Sequence, residues 1–255
     1  MEESKKNIIM EFVKDTLLMA VTFAVVYAGI CGMRPARNVG DSQIETINSC
    51  LSGQVYSFVS ENKDRIKKYA SEYNVPVMLI AATIMNENEC RPRYEDWLDE
   101  IGGKMNLNVS YGMAQIKIET ARELYKKYFG ETISREMALS VLKDTDSSIR
   151  LIALFYRNEI ESMGLNVAHI EQDPSLMARL FSTYVGGRRY NSIDAEMIGY
   201  NALLHVADPR LSNALDIDYP ESNRDKIRQF LNSKKSVMSR NLNENSKLHA
   251  KLWQR

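Results

Sequence analysis

From residue 42 onward, apolar positions recur every three or four residues almost without interruption, the spacing of helices that each bury a stripe. Ile44, Ile47, Leu51, Val55 and Phe58 or Val59 mark the first such stretch; Ile66 and Tyr69 mark a second, which Asn74 and Pro76 end. Pro76, at the helical position it prefers, opens a third through Leu79, Ile80, Thr83 and Ile84 to Glu87 or Asn88. Further helices are predicted from Glu119 to Phe129, stopped by Gly130, and from Ser134 to Lys143, with Ser134 as N-cap. Others are expected from about Ser147 to Met163, from Asp173-Pro174 to Tyr184 with a halt at Gly186-Gly187, over Ser192 to Val206, and over Pro220 to Leu231. No convincing run alternates as a strand would, and the irregular exception, Arg91 to Val109, has room for a short hairpin. The expected fold is mainly α.

Ahead of this body lie eighteen uncharged residues, Thr16 to Met33, dominated by Leu, Ala, Val, Phe and Ile, near the lower limit for crossing a bilayer. Three readings stay open: an uncleaved anchor, a cleaved signal with Val26-Tyr27-Ala28 offering small residues to a peptidase, or a buried core helix. Lys5, Lys6 and Lys14 before the segment, against Arg34 and Arg37 after it, lean toward a cytoplasmic N-terminus. The organisation expected is therefore residues 1–33 as anchor or signal, the Pro-, Gly- and charge-bearing 34–41 as linker, 42–221 as the helical domain and 222–255 as a polar, basic tail. That tail is either a solvated end or a strip that touches anionic wall polymer or lipid.

Among the 255 residues, 33 basic and 33 acidic side chains cancel, so nothing global favours capture of nucleic acid, and a neutral polymer is the better-suited partner. Of three cysteines, Cys31 belongs to the apolar segment, while Cys50 and Cys90 are either one disulfide in an oxidising compartment or two buried thiols. His169, His205 and His249 share no ligand spacing, so neither a metal site nor a cofactor is expected. Gly102-Gly103 lacks the Lys-Ser or Lys-Thr of a phosphate loop, and no local motif supports a cysteine nucleophile at Cys90.

Chemistry concentrates at Glu87. It follows Ile80 by seven residues and Ile84 by three, so it prolongs an apolar face, and it sits in the last helical turn, where the dipole's negative end disfavours a carboxylate. Both conditions suit a carboxyl group that must stay protonated to act as a general acid. Arg91 and Arg93 stand close enough in sequence to oppose that shift, and Tyr94 and Trp97 would either stack on sugar faces or lie under the loop. Some two dozen residues beyond Glu87 comes the Gly- and Gln-containing stretch Ser110-Tyr111-Gly112-Met113-Ala114-Gln115-Ile116.

Four segments in this order resemble the soluble lytic transglycosylase family, which shares the goose-type lysozyme fold. Ile80 to Asn88 resembles its catalytic helix, Ser110 to Ile116 with Thr120-Ala121 its Ser-x-Gly to Gln motif, Asp146 to Tyr156 the helix that follows, and Leu180 to Gly187 its Ala-x-Tyr-Asn-x-Gly motif. Together they cover about residues 66–190. The resemblance implies a lysozyme-like helical domain that cleaves β-1,4 MurNAc–GlcNAc bonds of peptidoglycan, leaving 1,6-anhydro ends. It implies Glu87 as acid and base, Ser110, Tyr111, Gly112, Met113, Ala114 and Gln115 as the lining of the sugar subsite, and Tyr184 near the Glu87 carboxyl. Asn88 stands where the family has Ser, with an amide able to bond substrate or the neighbouring loop, and Val185 stands where it has Asn.

On this reading the protein works in the cell envelope, outside the cytoplasm, held by its N-terminal segment or secreted. The anchor is also compatible with service to a secretion or conjugation apparatus. Two alternatives remain. Glu95, Asp96 or Asp99 would make a water-using lysozyme if one of them supplied a second carboxylate. Asn88 and Val185 suit a wall-binding scaffold of the same fold with little turnover.

Overall fold

The apolar run that follows Pro76 has no solvent face. From Met78 to Met85 every residue is buried, Thr83 included, as a helix that is hydrophobic all round requires. In the computed structural model, which describes residues 53–88, 102, 107–186 and 193–234, this run is the centre of a mainly helical fold. Helix accounts for 77% of the described residues, so strands play only a local part. All described residues fall within one unit, Ile47–Arg240.

In chain order the elements are α1 (Gly53–Glu61), α2 (Lys63–Glu72), α3 (Val77–Asn88), the strands β1 (Ser110–Tyr111) and β2 (Ile116–Lys117), α4 (Ile118–Phe129), α5 (Arg135–Lys143) and α6 (Thr145–Ser162). There follow α7 (Val167–Ile170), α8 (Pro174–Gly186), α9 (Ile193–Ala207), α10 (Pro209–Leu215) and α11 over 221–234. Around α3 pack α1, α2, α6, α8, α9 and α10. Each fully buried Leu, Ile or Met of α3 contributes about 1.5–3 kcal/mol relative to exposure, so this helix is the least movable part of the molecule. Beyond Met85 its C-terminal turn is partly exposed and carries Glu87 and Asn88.

Local chemistry explains where neighbouring helices begin and end. Ser134 accepts a hydrogen bond from the Met137 amide at 3.2 Å and caps α5, while Gly130 takes a left-handed φ of 70° and stops α4. Asp144 closes α5 and opens α6, its side chain accepting from the Ser147 amide at 2.8 Å. The Ser147 side chain first, and then this amide bond, hold the Asp144 carboxyl below its ordinary range. The folded pKa thus lies below the unfolded one, so the cap's contribution is present above the unfolded value and fades as pH falls through the folded value. Asp144→Ala is expected to lose about 1 kcal/mol at pH 7, and the gap from wild type should narrow in urea melts repeated below about pH 4.

Helix α8 owes its place to close contact with α9. A Cβ on Gly199 would lie 2.4 Å from the Ala178 carbonyl oxygen and 2.5 Å from Ser182 Oγ, a distance only glycine tolerates without movement. The contact fixes the helix that delivers Tyr184.

The described elements refine several expectations. A hairpin lies directly after Arg91 to Val109, pairing Ser110 with Lys117 and Tyr111 with Ile116, while 91–101 and 103–106 lie outside the described residues. Helix α6 starts at Thr145, ahead of Ser147, because Asp144 takes the cap. The helix expected over Pro220 to Leu231 is α11, residues 221–234, with Ile227 buried and Arg224 bonding Glu221 Oε2 at 2.7 Å and Ser212 Oγ at 2.6 Å. Helices α7 and α10 had no counterpart in the periodicity. Among the described residues no helix is long and apolar enough to cross a membrane. The segment Thr16 to Met33, the linker 34–41, the stretch 42–52, all three cysteines, Arg91 to Asp99, Gly103, the side chain of Val185 and residues beyond 234 lie outside the described residues.

Candidate active site

The site assembles where the end of α3 meets the hairpin loop and the last turns of α8. Glu87 is half-buried. The next residue, Asn88, directs its amide nitrogen to two carbonyls, that of Ile84 in its own helix at 2.7 Å and that of Met113 in the hairpin loop at 3.0 Å. Both N–H donors of the side chain are thereby engaged, and Oδ1 remains as its acceptor.

The loop from Gly112 to Gln115 is built for a tight reversal. Gly112 has φ 68°, and a Cβ there would lie 1.9 Å from the Leu142 carbonyl oxygen, so the loop rests directly on the end of α5. Gln115 also has a left-handed φ, 51°, and holds it with two bonds to the Gly112 carbonyl, from its amide at 3.2 Å and from Nε2 at 2.7 Å. Asn74 and Asp216 share that conformation, but those residue types adopt it readily, whereas Gln does so seldom. A glutamine in this conformation, in a loop bonded to Asn88, is the kind of outlier that marks functional positions. Its side-chain Oε1 is the acceptor left over.

The hydroxyl of Tyr184 donates to the Ala114 carbonyl, a second tie between the loop and the helical body. The ring stacks on Tyr156, with centroids 5.6 Å apart and planes at 22°, and meets Phe155 edge-on at 4.8 Å. Tyr156 in turn shares a 2.6 Å hydrogen bond with Thr83, one turn before Glu87. Burial first, and then the negative charge of Glu87, push the Tyr184 hydroxyl well above its ordinary range. Burial again leads for Tyr156, with Glu87 adding to the rise and the Thr83 bond opposing it. Both phenols are therefore neutral at physiological pH, and the carboxylate that both sense is Glu87.

The structure thus brings together Glu87, Asn88, Met113, Ala114 and Tyr184, with Gly112 and Gln115 shaping the loop between them. Tyr184 reaches the loop carbonyl with its hydroxyl and the acid through its field. Tyr111 differs: it is buried, with Lys143 Nζ 5.5 Å from its ring centroid beside α5, so its backbone is what it offers the loop. Ser110 is half-buried opposite Lys117. Tyr156, Phe155 and Thr83 were not expected at the site. The signal for Thr83 was available, since residues 83 and 87 share a helix face, and a tyrosine on a buried helix must find a partner for its hydroxyl. Among the described residues no group of three or more His, Cys, Asp or Glu could hold a metal ion.

These elements define a mainly α-helical protein in which the half-buried Glu87 ends a helix whose last residue, Asn88, is bonded to a short hairpin loop. No family model, curated protein or solved structure matches the chain.

Proposed function

We propose that the helical body is a lysozyme-like domain that cleaves the β-1,4 bond between MurNAc and GlcNAc in peptidoglycan as a lytic transglycosylase. The observation that carries this reading is the position of Glu87: half-buried at the end of a helix buried from Met78 to Met85, sensed by two neutral phenols, with the adjacent Asn88 bonded to a loop of the kind that lines a sugar subsite. The C-terminal helix dipole and partial burial both disfavour the charged form of a carboxyl group placed there.

In the proposed reaction Glu87 gives its proton to the bridging oxygen as the bond from C1 of MurNAc breaks. The resulting carboxylate takes the proton of the same sugar's C6 hydroxyl, whose oxygen closes on C1, so no water is consumed and the acid is regenerated. Because the nucleophile is already tethered to the electrophile, one carboxyl group suffices. The loop carbonyls of Met113 and Ala114 are taken up by Asn88 and Tyr184, which leaves Asn88 Oδ1 and Gln115 Oε1 as acceptors for sugar hydroxyls. Work on peptidoglycan places the domain outside the cytoplasm, with Thr16 to Met33 as its tether or its export signal, in a setting open to a secretion or conjugation apparatus.

Mass spectrometry of purified peptidoglycan incubated with the full chain tests the reading. Products ending in 1,6-anhydro-MurNAc are expected. Reducing-end products would replace the transglycosylase by a water-using lysozyme, and intact glycan in the presence of bound protein would leave a wall-binding scaffold.

A further inference from the structure

Thr83 and Asn88, on either side of Glu87 along α3, are the two ends of one path of contacts that leaves the helix and returns to it. Thr83 Oγ1 bonds the Tyr156 hydroxyl at 2.6 Å, and the Tyr156 ring stacks on that of Tyr184. The Tyr184 hydroxyl donates to Ala114, and the carbonyl of the preceding residue, Met113, accepts from Asn88. The path runs through α3, α6, α8 and the hairpin loop, with the acid between its ends.

We propose that Tyr156 is a positioning residue that sets the place of the Gly112–Gln115 loop against the end of α3, where Asn88 follows Glu87, acting through the Tyr184 ring and from the rigid floor that Thr83 provides. Volume alone does not account for a tyrosine here. Tyr156 is fully buried and Thr83 is 2% exposed, so phenylalanine and valine would fill the same space without two hydroxyls to desolvate. A buried hydroxyl pair restricts each side chain to the rotamer that makes the bond. In this case it fixes the plane of a ring that stacks on Tyr184. The Tyr184 ring then has little freedom to tilt, and its hydroxyl holds Ala114 at one height. The placement of the loop stands on these contacts; only its consequence for turnover rests on Glu87 being the acid.

Tyr156→Phe and Thr83→Val remove the two halves of the bond while keeping ring and side-chain volume. Both are expected to speed hydrogen exchange within 110–117 severalfold, at conditions where the melting transition remains well above the measuring temperature. The turnover of glycan should fall about tenfold in kcat with KM nearly unchanged, as a small misplacement of reacting groups produces. The double variant should match either single one, because both break the same link. Unchanged exchange in 110–117 would overturn the proposal, as would exchange raised uniformly along the chain, which is the mark of general loss of stability. If exchange rises locally while the wild-type protein releases no glycan fragments, the reading of the function fails and the positioning role stands.

Discussion

Glu87→Gln in the full chain is expected to lower the rate of glycan release by at least about 10³-fold, since general acid and general base assistance by positioned side chains each contribute roughly 10²–10⁴. The substitution keeps the shape of the side chain and its ability to accept a hydrogen bond, but it cannot deliver a proton to the leaving oxygen or take one from the C6 hydroxyl. Folding should be untouched or slightly favoured, because a half-buried group that can ionise is replaced by one that cannot. Tyr156 and Tyr184 are poor substitutes as proton donors, since burial and the neighbouring carboxylate hold both hydroxyls well above their ordinary range. A Glu87→Gln protein that melts normally, binds glycan and still releases fragments at the wild-type rate would remove the acid from the scheme. Binding without release by both proteins would instead identify a scaffold.

The helical plan was readable because periodicity reports burial, and burial here is carried by long helices. The centre of the fold, α3, was legible from Pro76 and the apolar run after it, although the sequence suggested one buried face where the structure buries the whole circumference up to Met85. Exact starts were less accessible. The run Asp144-Thr145-Asp146-Ser147-Ser148 holds five residues that can each cap a helix, and the choice of Asp144 depends on Ser148 being drawn inward to bond the Leu142 carbonyl at 2.7 Å. Helix α10 does carry a local start signal in Asp208-Pro209, yet its brevity gives periodicity little to act on. The helix over Pro220 to Leu231 was likewise legible, but the burial of one of its charges was not. Arg224 looks like a solvated side chain in sequence and is buried in the structure, because Glu221 and Ser212 meet its guanidinium.

The same division runs through the site. Glu87, Asn88 and the Gly112 to Gln115 stretch could be singled out because their residue types and order are unusual. The hairpin itself could not, since strands of two residues leave no alternation to detect. Tyr156 was hidden for a further reason. Its role is defined by Thr83 and Tyr184, 73 positions before it in one case and on another helix in the other, and nothing local in α6 distinguishes it from an ordinary core aromatic. Long-range packing thus converts a residue of no sequence distinction into one that touches the acid's environment.

Gly112→Ala should be the most damaging single-methyl change in the loop, and Gly130→Ala provides its control. The two glycines have nearly the same backbone, φ 68° and 70°, so the left-handed conformation penalises alanine equally at both, by about 1–2 kcal/mol. Their surroundings differ. At Gly130 a Cβ meets nothing within 4 Å, whereas at Gly112 it would sit 1.9 Å from the Leu142 carbonyl oxygen and 2.9 Å from its carbon. Those atoms are backbone and cannot rotate aside. The Leu142 carbonyl is further held by Ser148 Oγ at the start of α6, so relief requires the loop to lift from the α5–α6 junction. Forced overlap in a packed site adds about 1–3 kcal/mol to the conformational penalty. Urea melts should therefore show Gly112→Ala losing roughly 2–5 kcal/mol against about 1–2 for Gly130→Ala. Equal losses would mean that the loop is not seated on Leu142. A lifted loop also carries the Met113 and Ala114 carbonyls away from Asn88 and Tyr184, so the folded fraction of Gly112→Ala should release glycan fragments far more slowly than wild type, while Gly130→Ala, at the far end of α4, should release them at the wild-type rate.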